Sequence, residues 1–206
     1  MASNITLTGN DVRLEPLEMR HAAALASAAE GDQELYRWSP VPQGVAGAEQ
    51  YIQTAHSWRD AGTAASFATV RLADNVVVGS TRFFNIEHWA WPKGHTLHRR
   101  TTPDACEIGY TWLTASAIRT PINTEAKFLM LKYSFEQWQV LRVCLHTDVR
   151  NMRSRAAIER IGGKFEGILR AHRMAADFIA RDSARFSIIA AEWPEVKTRL
   201  QRMLER

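Results

Sequence analysis

A strand that runs into a loop and then a helix presents unpaired backbone N–H groups at the positive end of the helix dipole, an arrangement suited to a phosphate. Segment 115–126, Ala-Ser-Ala-Ile-Arg-Thr-Pro-Ile-Asn-Thr-Glu-Ala, has this character. It follows a β-rich run at 106–113 and opens a long apolar-periodic stretch. The same turn also serves as an ordinary connection with an Asn or Thr N-cap. His88, His95, His98 and Cys106 are metal-ligand types, and His95 and His98 stand three apart. No second close pair completes a tetrahedral set, so solvated loop histidines are expected and a metal is not. Cys106 and Cys144 read as small core residues on strands in a reducing compartment rather than as a disulfide.

These groups need a scaffold. Alternation and turn residues predict strands at 12–17, 66–72, 76–84, 106–113, 142–148, 163–171 and 183–190. Helices are predicted near 18–30, 48–60, 123–138 and 151–161, with Pro194 opening a last one and 38–47 left irregular. Asn151 opens the fourth helix and Gly162-Gly163 close it. Strand, helix, strand, helix in the second half implies a parallel crossover, and no linker divides the chain. The reading is one mixed α/β domain over 1–206. Along 106–113, Glu107 is expected to share a face with Gly109 and Thr111, opposite Cys106, Ile108, Tyr110 and Trp112. His146, inside a strand, reads as structural.

Composition excludes several classes. The chain has 206 residues, 46% hydrophobic and 23% charged, enough for one sizeable core. With 11 Gly and 7 Pro and no internal period, it is neither a repeat array nor a low-complexity polymer. The alanine-rich stretch at 22–29 falls far short of the ~20 apolar residues a bilayer requires, so no membrane span is expected. Residues 1–10 lack the basic start and apolar run of a secretory signal, which points to the cytoplasm. A net charge of +4 and a pI near 9.3 favour anionic partners, nucleic acid or a phosphorylated cofactor. Arg99, Arg100, Arg150, Arg153, Arg155, Arg170 and Arg173 are dispersed, which disfavours nucleic acid.

Three further runs carry a resemblance: Glu107-Ile-Gly-Tyr-Thr-Trp-Leu113; Asn123-Thr-Glu-Ala126; and Thr147-Asp-Val-Arg-Asn-Met-Arg-Ser154. With Ile161-Gly-Gly-Lys-Phe-Glu-Gly167, Leu169-Arg-Ala-His172, Arg181-Asp-Ser183 and Glu192-Trp-Pro194, the pattern resembles the GNAT superfamily of N-acetyltransferases. Within it, the pattern is similar to the branch that includes ribosomal-protein N-terminal acetyltransferases. The match covers about 12–194 in element order and is most specific in the C-terminal half.

The resemblance implies a GNAT-like mixed sheet with flanking helices and a splayed central parallel strand pair. Acetyl-CoA would lie between those strands, donating its acetyl group to a primary amine of a protein N-terminus or a small molecule by direct attack. Its pyrophosphate would rest on 119–124, with Arg119, Thr120, Ile122, Asn123 and Thr124 as cofactor contacts. The family usually places glycines there, whereas this chain has Arg119 and Pro121. Proline removes one donor, so the cradle must rely on the N–H groups of Ile122, Asn123 and Thr124. Arg119 either adds a guanidinium fork or stays a solvated loop arginine.

By the same resemblance Glu107 is the general base, since a carboxylate in a partly desolvated cleft is tuned toward neutral pH. Its alternative is a structural strand glutamate. Asn151 would contact the CoA arm, or simply cap its helix. Tyrosine is absent beyond Tyr133, so Ser154 or water would protonate the leaving thiolate. The alternative function is a non-catalytic acyl-CoA-binding or nucleic-acid-binding protein.

The aperiodic stretch at 86–104 is long for a structureless loop in a compact domain. Trp89 and Trp91 give it rigid apolar surface, with Pro92 limiting its freedom, and predict a wall for the acceptor. The same tryptophans suit a flap over the sheet or a contact between copies in a homo-oligomer.

Overall fold

The computed structural model describes residues 5–31, 33–175 and 178–205, with the side chain of Gln33 left aside. Its strands are β1 (Leu7–Thr8), β2 (Val12–Pro16), β3 (Ala65–Arg71), β4 (Val76–Glu87), β5 (Ala105–Leu113), β6 (Arg142–Asp148), β7 (Lys164–Met174) and β8 (Ala180–Ile189). All eight join one sheet in the order β1-β2-β3-β4-β5-β6-β8-β7. Neighbours run antiparallel except β5 and β6, which are parallel. A parallel pair requires a crossover, and the chain supplies one helix for it.

The helices are α1 (Ala22–Ala29), α2 (Gln33–Tyr36), α3 (Gly44–Asp60), α4 (Pro121–Lys132), α5 (Met152–Arg160) and α6 (Trp193–Leu204). Helix α3 starts at Gly44, four residues ahead of the position read from sequence. Ala48, Ile52 and Ala55, spaced along one helical face, are all buried, and that burial outweighs the two glycines of its first turn. Helix α4 likewise begins at Pro121 rather than Asn123, with Thr120 as N-cap and a first-turn proline. It continues as a π-helical turn over Tyr133–Gln137. Strand β7 runs past Ala171 to Met174.

Helices α4, α5 and α6 cover one sheet face, where Val143, Leu145, Phe186 and Ile188 meet Met130, Leu131, Ile158, Ile161, Val196 and Leu200. Helices α1 and α3 cover the other face only over the first half of the sheet, packing on Leu17, Ala68 and Trp112. The second face of β6 and β8 therefore carries Arg142, Cys144, His146 and Asp148, and Arg181, Ser183, Arg185 and Ser187, opposite the apolar set. Helix α4 is tied to the first hairpin by buried Glu125, whose carboxylate accepts the N–H groups of Asn10, Asp11 and Val12 at 2.7, 2.7 and 2.9 Å. Cys106 and Cys144 are both free and buried, and desolvation pushes the Cys106 thiol up to about 12. No helix among the described residues is long and apolar enough to cross a membrane.

Candidate active site

Three kinks in the sheet converge on Glu107. In the first, β4 carries an extra residue between Phe84 and Glu87, and Asn85 takes a φ of +46°, left-handed backbone that asparagine tolerates. The kink aims its amide at Glu107, where Nδ2 donates to Oε2 at 2.9 Å. The second kink is in β5: Arg82 pairs with Gly109 but Ser80 pairs with Trp112, and Tyr110 takes a φ of +51°. This overturns the expected face pattern beyond Gly109. The inserted residue moves Thr111 to the α4 face, and turns Tyr110 and Trp112 toward α1 and α3 on the Glu107 side. Tyr110 is clamped there edge-on to Phe84 at 5.0 Å and beneath the buried Arg82 guanidinium at 4.4 Å.

The third kink is in β7, where Leu169 pairs with Ser183 and Arg173 with Arg181, so two extra residues sit on β7. Ala171, at a φ of +48°, donates its N–H to Asp182 Oδ1 at 2.8 Å. Left-handed backbone costs a residue other than glycine or asparagine roughly 1–2 kcal/mol, so Tyr110 and Ala171, on the strands that flank the cluster, indicate a constrained, functional arrangement.

The result is a buried ionic cluster. Glu107, 4% exposed, accepts from Arg173 Nη2 at 3.1 Å. His146 Nδ1 lies 2.7 Å from Oε1, within ion-pair distance when the imidazole is protonated, and its buried Nε2 has no hydrogen-bond partner among the described residues. The His172 ring lies 5.0 Å from that of His146. Burial pushes the Glu107 carboxyl up, but the His146 contact, the charges of His146 and Arg173 and the Asn85 amide outweigh it and hold it below the ordinary carboxylate range. That is opposite to the expected tuning toward neutral pH. His172 is pushed below the ordinary imidazole value, first by burial and then by the charges of Arg173 and His146, against the pull of Glu107. At neutral pH the site thus pairs an ionised carboxylate with a neutral imidazole.

Beside this cluster the sheet opens. The β5–β6 ladder holds for Ala105↔Arg142, Cys106↔Val143 and Glu107↔Cys144 and then stops, while β6 stays paired to β8 as far as Asp148. Glu107 marks the vertex of the resulting splay. Further along β5 lies the turn into α4, where exposed Arg119 adopts a φ of +62°. The backbone thus takes a glycine-favouring conformation despite the arginine. Thr120 Oγ1 accepts weakly from the Ile122 N–H at 3.4 Å, and Asn123 Oδ1 is buried without a partner. A helix that starts at Pro121 leaves the N–H of Asn123 among its first-turn donors and draws that of Thr124 into the helical ladder. The Thr124 side chain points inward and accepts from Arg160 at 3.0 Å. Left-handed backbone and a helix N-terminus with free first-turn donors fit the phosphate end of a CoA-type molecule.

The other expected site residues are placed separately from Glu107. Asn151 Oδ1 accepts the Ser154 N–H at 3.0 Å, so Asn151 caps α5. Ser154 is half-buried in the first turn of α5, and among the described residues no hydrogen bond joins it to Glu107, His146, His172 or Arg173. Trp89 and Trp91 are held by Asp104, which accepts the Trp89 N–H at 2.7 Å and the Trp91 Nε1–H at 2.8 Å. Arg100 ties the same carboxylate to the Trp138 and Gln139 carbonyls. The loop is thereby fixed three residues ahead of Glu107 on the same chain segment. Sequence reasoning missed Asn85, His172, Arg173 and Arg181 as site residues and took His146 as structural. Only the parallel register and the kinks bring them in, and of the three kinks only the one in β5 has a glycine beside it, Gly109.

Residues 11–164 match a family model described as an acetyltransferase (GNAT) domain. No curated protein matches the sequence. Among solved structures, a GCN5-related N-acetyltransferase from Brucella melitensis is 28% identical, with a TM-score of 0.80 over 98% of this chain and 86% of that one. Mycobacterium smegmatis RimJ, solved in complex with CoA-disulfide, is 25% identical, with a TM-score of 0.76 over 93% of this chain and 88% of the other. A ribosomal-protein-S5-alanine acetyltransferase from Vibrio fischeri shares the fold, with a TM-score of 0.70 and 15% identity over 92% of this chain and 99% of that one. A family match over most of the chain, on a sheet that opens beside a buried carboxylate, places the protein: it belongs to the GNAT family of N-acetyltransferases.

Proposed function

We propose that the chain transfers the acetyl group of acetyl-CoA to a primary amine, which attacks the thioester directly, and that it works as one catalytic unit over 1–206 in the cytoplasm. The observation that carries this reading is the β5–β6 ladder stopping at Glu107↔Cys144. That stop leaves an opening bordered by an ionised carboxylate and followed by a helix N-terminus. Bound acetyl-CoA supplies the activated acetyl thioester. The 119–124 turn holds its phosphates through the N–H groups of Ile122 and Asn123, with Thr120 and the Arg119 side chain around them, while Thr124, turned inward to Arg160, supports the turn from behind. Asn151 fixes the start of α5 beside the arm, and the Ser154 hydroxyl or a water gives the thiolate its proton.

An amine at neutral pH arrives as ammonium and must lose a proton before it attacks. Glu107, held ionised, attracts the ammonium but is a weak final acceptor. The neutral imidazole of His172 is a better one, and the adjacent carboxylate stabilises its charged form. Trp89 and Trp91, anchored about 10 Å along the strand from Glu107, flank the acceptor entrance.

The test is thiol release from acetyl-CoA with a panel of primary amines, beside thermal melting with acetyl-CoA alone. Amine-dependent release is expected, with a Tm that rises with acetyl-CoA and rises less at high salt, because phosphate contacts are screened. A non-catalytic acyl-CoA binder would show the melting shift without release. Unchanged melting and no heat of binding would remove the acetyl-CoA reading altogether.

A further inference from the structure

Arg173 on β7 and Arg181 on β8 are cross-strand partners, so their side chains leave the same face of the sheet from directly opposite positions. Like charges in that relation repel unless something negative lies between them. Arg173 has Glu107, at 3.1 Å. Arg181 has nothing comparable: among the described residues it makes no ion pair, and its Nε is buried without a hydrogen-bond partner. Its strand continues the pattern, because Ser183 Oγ on the same face is also buried and unpartnered. His146 Nε2 and His172 Nδ1 complete a ring of unsatisfied polar atoms around the cluster. Burial depresses the Arg181 guanidinium first, and the nearby charge of Arg173 adds to this, against Asp148, Tyr110 and Glu107.

Leaving buried donors unsatisfied costs roughly 1–3 kcal/mol each, and more for charged groups. A fold that concentrates them beside its reactive carboxylate has a place for an anion. The other anionic groups nearby are engaged. Glu166 holds Arg142 and Arg185, Asp148 holds Arg150, and Asp182 Oδ1 accepts the Ala171 N–H. The phosphates of a CoA-type donor have their own site at the start of α4, at the far end of β5.

We propose that Arg181, together with Arg173, binds a carboxylate carried by the acceptor itself, so that the acceptor class is an amine bearing its own carboxylate within a few bonds. The carboxylate bridges the two guanidiniums and relieves their repulsion, while the amine end lies against Glu107 and His172. An amino acid, or a peptide with an acidic residue at its N-terminus, presents this chemistry. The identity of the amine end rests on the acetyl-transfer reading above; the carboxylate site does not.

The experiment measures equilibrium binding of amino acids and their carboxamides in the presence of CoA, and acetyl transfer from acetyl-CoA to the same compounds, for wild type, Arg181→Leu and Arg181→Lys. Peptides beginning with Asp or Asn form a second arm that separates a free amino acid from an acidic N-terminus. Wild type is expected to prefer the acid over its amide by tenfold or more in at least one arm, and the preference should shrink at high salt. In Arg181→Leu the preference should fall to within about twofold, with CoA binding within about twofold of wild type, and Arg181→Lys should restore part of it. Should the leucine variant fold poorly, Arg181→Gln carries the same expectation. No acid-over-amide preference in wild type overturns the proposal, and so does a loss of CoA affinity that accounts for the effect of Arg181→Leu. Acid-selective binding without transfer would retain the carboxylate site and sink the acetyl-transfer reading instead.

Discussion

Strand β5 buries an ionisable group against each of its faces, and the two are treated in opposite ways. On the α4 side, Lys127 donates to the Thr111 hydroxyl at 2.6 Å and to that of Thr81 at 3.0 Å, and no carboxylate among the described residues pairs with it. Two neutral hydroxyls do not offset the loss of water, and desolvation drives the amine down to about 7. On the other side, Glu107 is as buried but is met by His146, Arg173 and Asn85, and it keeps its charge below the ordinary carboxylate range. Burial penalises both charges; only the side facing the opening of the sheet assembles partners that outweigh the penalty. The difference separates a packed interior, which sheds charge, from a reaction site, which holds it.

The largest expected effect removes the Lys127 side of this comparison. Its folded-state value is depressed, so between about pH 7 and 10.5 the unfolded chain binds a proton that the folded chain does not. Stability therefore rises with pH across that window by roughly 1.4 kcal/mol per unit. The desolvation penalty is fully felt below it and gone above it. Lys127→Met should flatten this slope in denaturant unfolding measured at several pH values. Thr81 and Thr111, 2.8 Å apart, can still bond each other.

A smaller effect sharpens the Glu107 side. Because His172 sits below the ordinary imidazole value, wild-type kcat/KM should keep its activity down to a midpoint below pH 6.5 and lose it as the imidazole protonates. His172→Gln should lower turnover by about 10² at neutral pH, the scale of a lost proton acceptor, and remove that limb. A limb that survives unchanged would exclude His172 as the acceptor.

The smallest effect concerns Arg119. Arg119→Gly relieves left-handed strain but frees the unfolded chain, so stability should rise by less than about 1 kcal/mol. If the guanidinium touches phosphate, acetyl-CoA binding should weaken at low salt and match wild type at high salt. Equal affinity at both salt concentrations would leave Arg119 a solvated loop residue.

Much of the frame is legible in the residues. The β-rich run at 106–113, the loop, the apolar-periodic helix and the next strand follow from alternation and turn signals, and these place Glu107 ahead of a helix N-terminus. The first-turn pair Thr120-Pro121 was a readable start signal for α4, and the spacing of Ala48, Ile52 and Ala55 was one for α3. The cluster itself was hidden. His146 meets Glu107 only because β5 and β6 run parallel in a register no local pattern reveals. Strand periodicity assumes strict alternation, and Asn85, Tyr110 and Ala171 each break it in left-handed backbone, with a glycine, Gly109, beside only the second. Hence His172, Arg173 and Arg181 could not be assigned a face before the fold was known.

The most direct measurement of the central claim is amine-dependent thiol release from acetyl-CoA between pH 6 and 9, with wild type beside Glu107→Gln. The expected result is turnover by wild type and a loss of about 10² or more in kcat for the variant near neutral pH, with acetyl-CoA raising the Tm of both proteins alike. A variant that releases thiol at the wild-type rate throughout that range, under conditions where chemistry limits turnover, would make Glu107 a structural residue and contradict the placement of the reaction at this cluster.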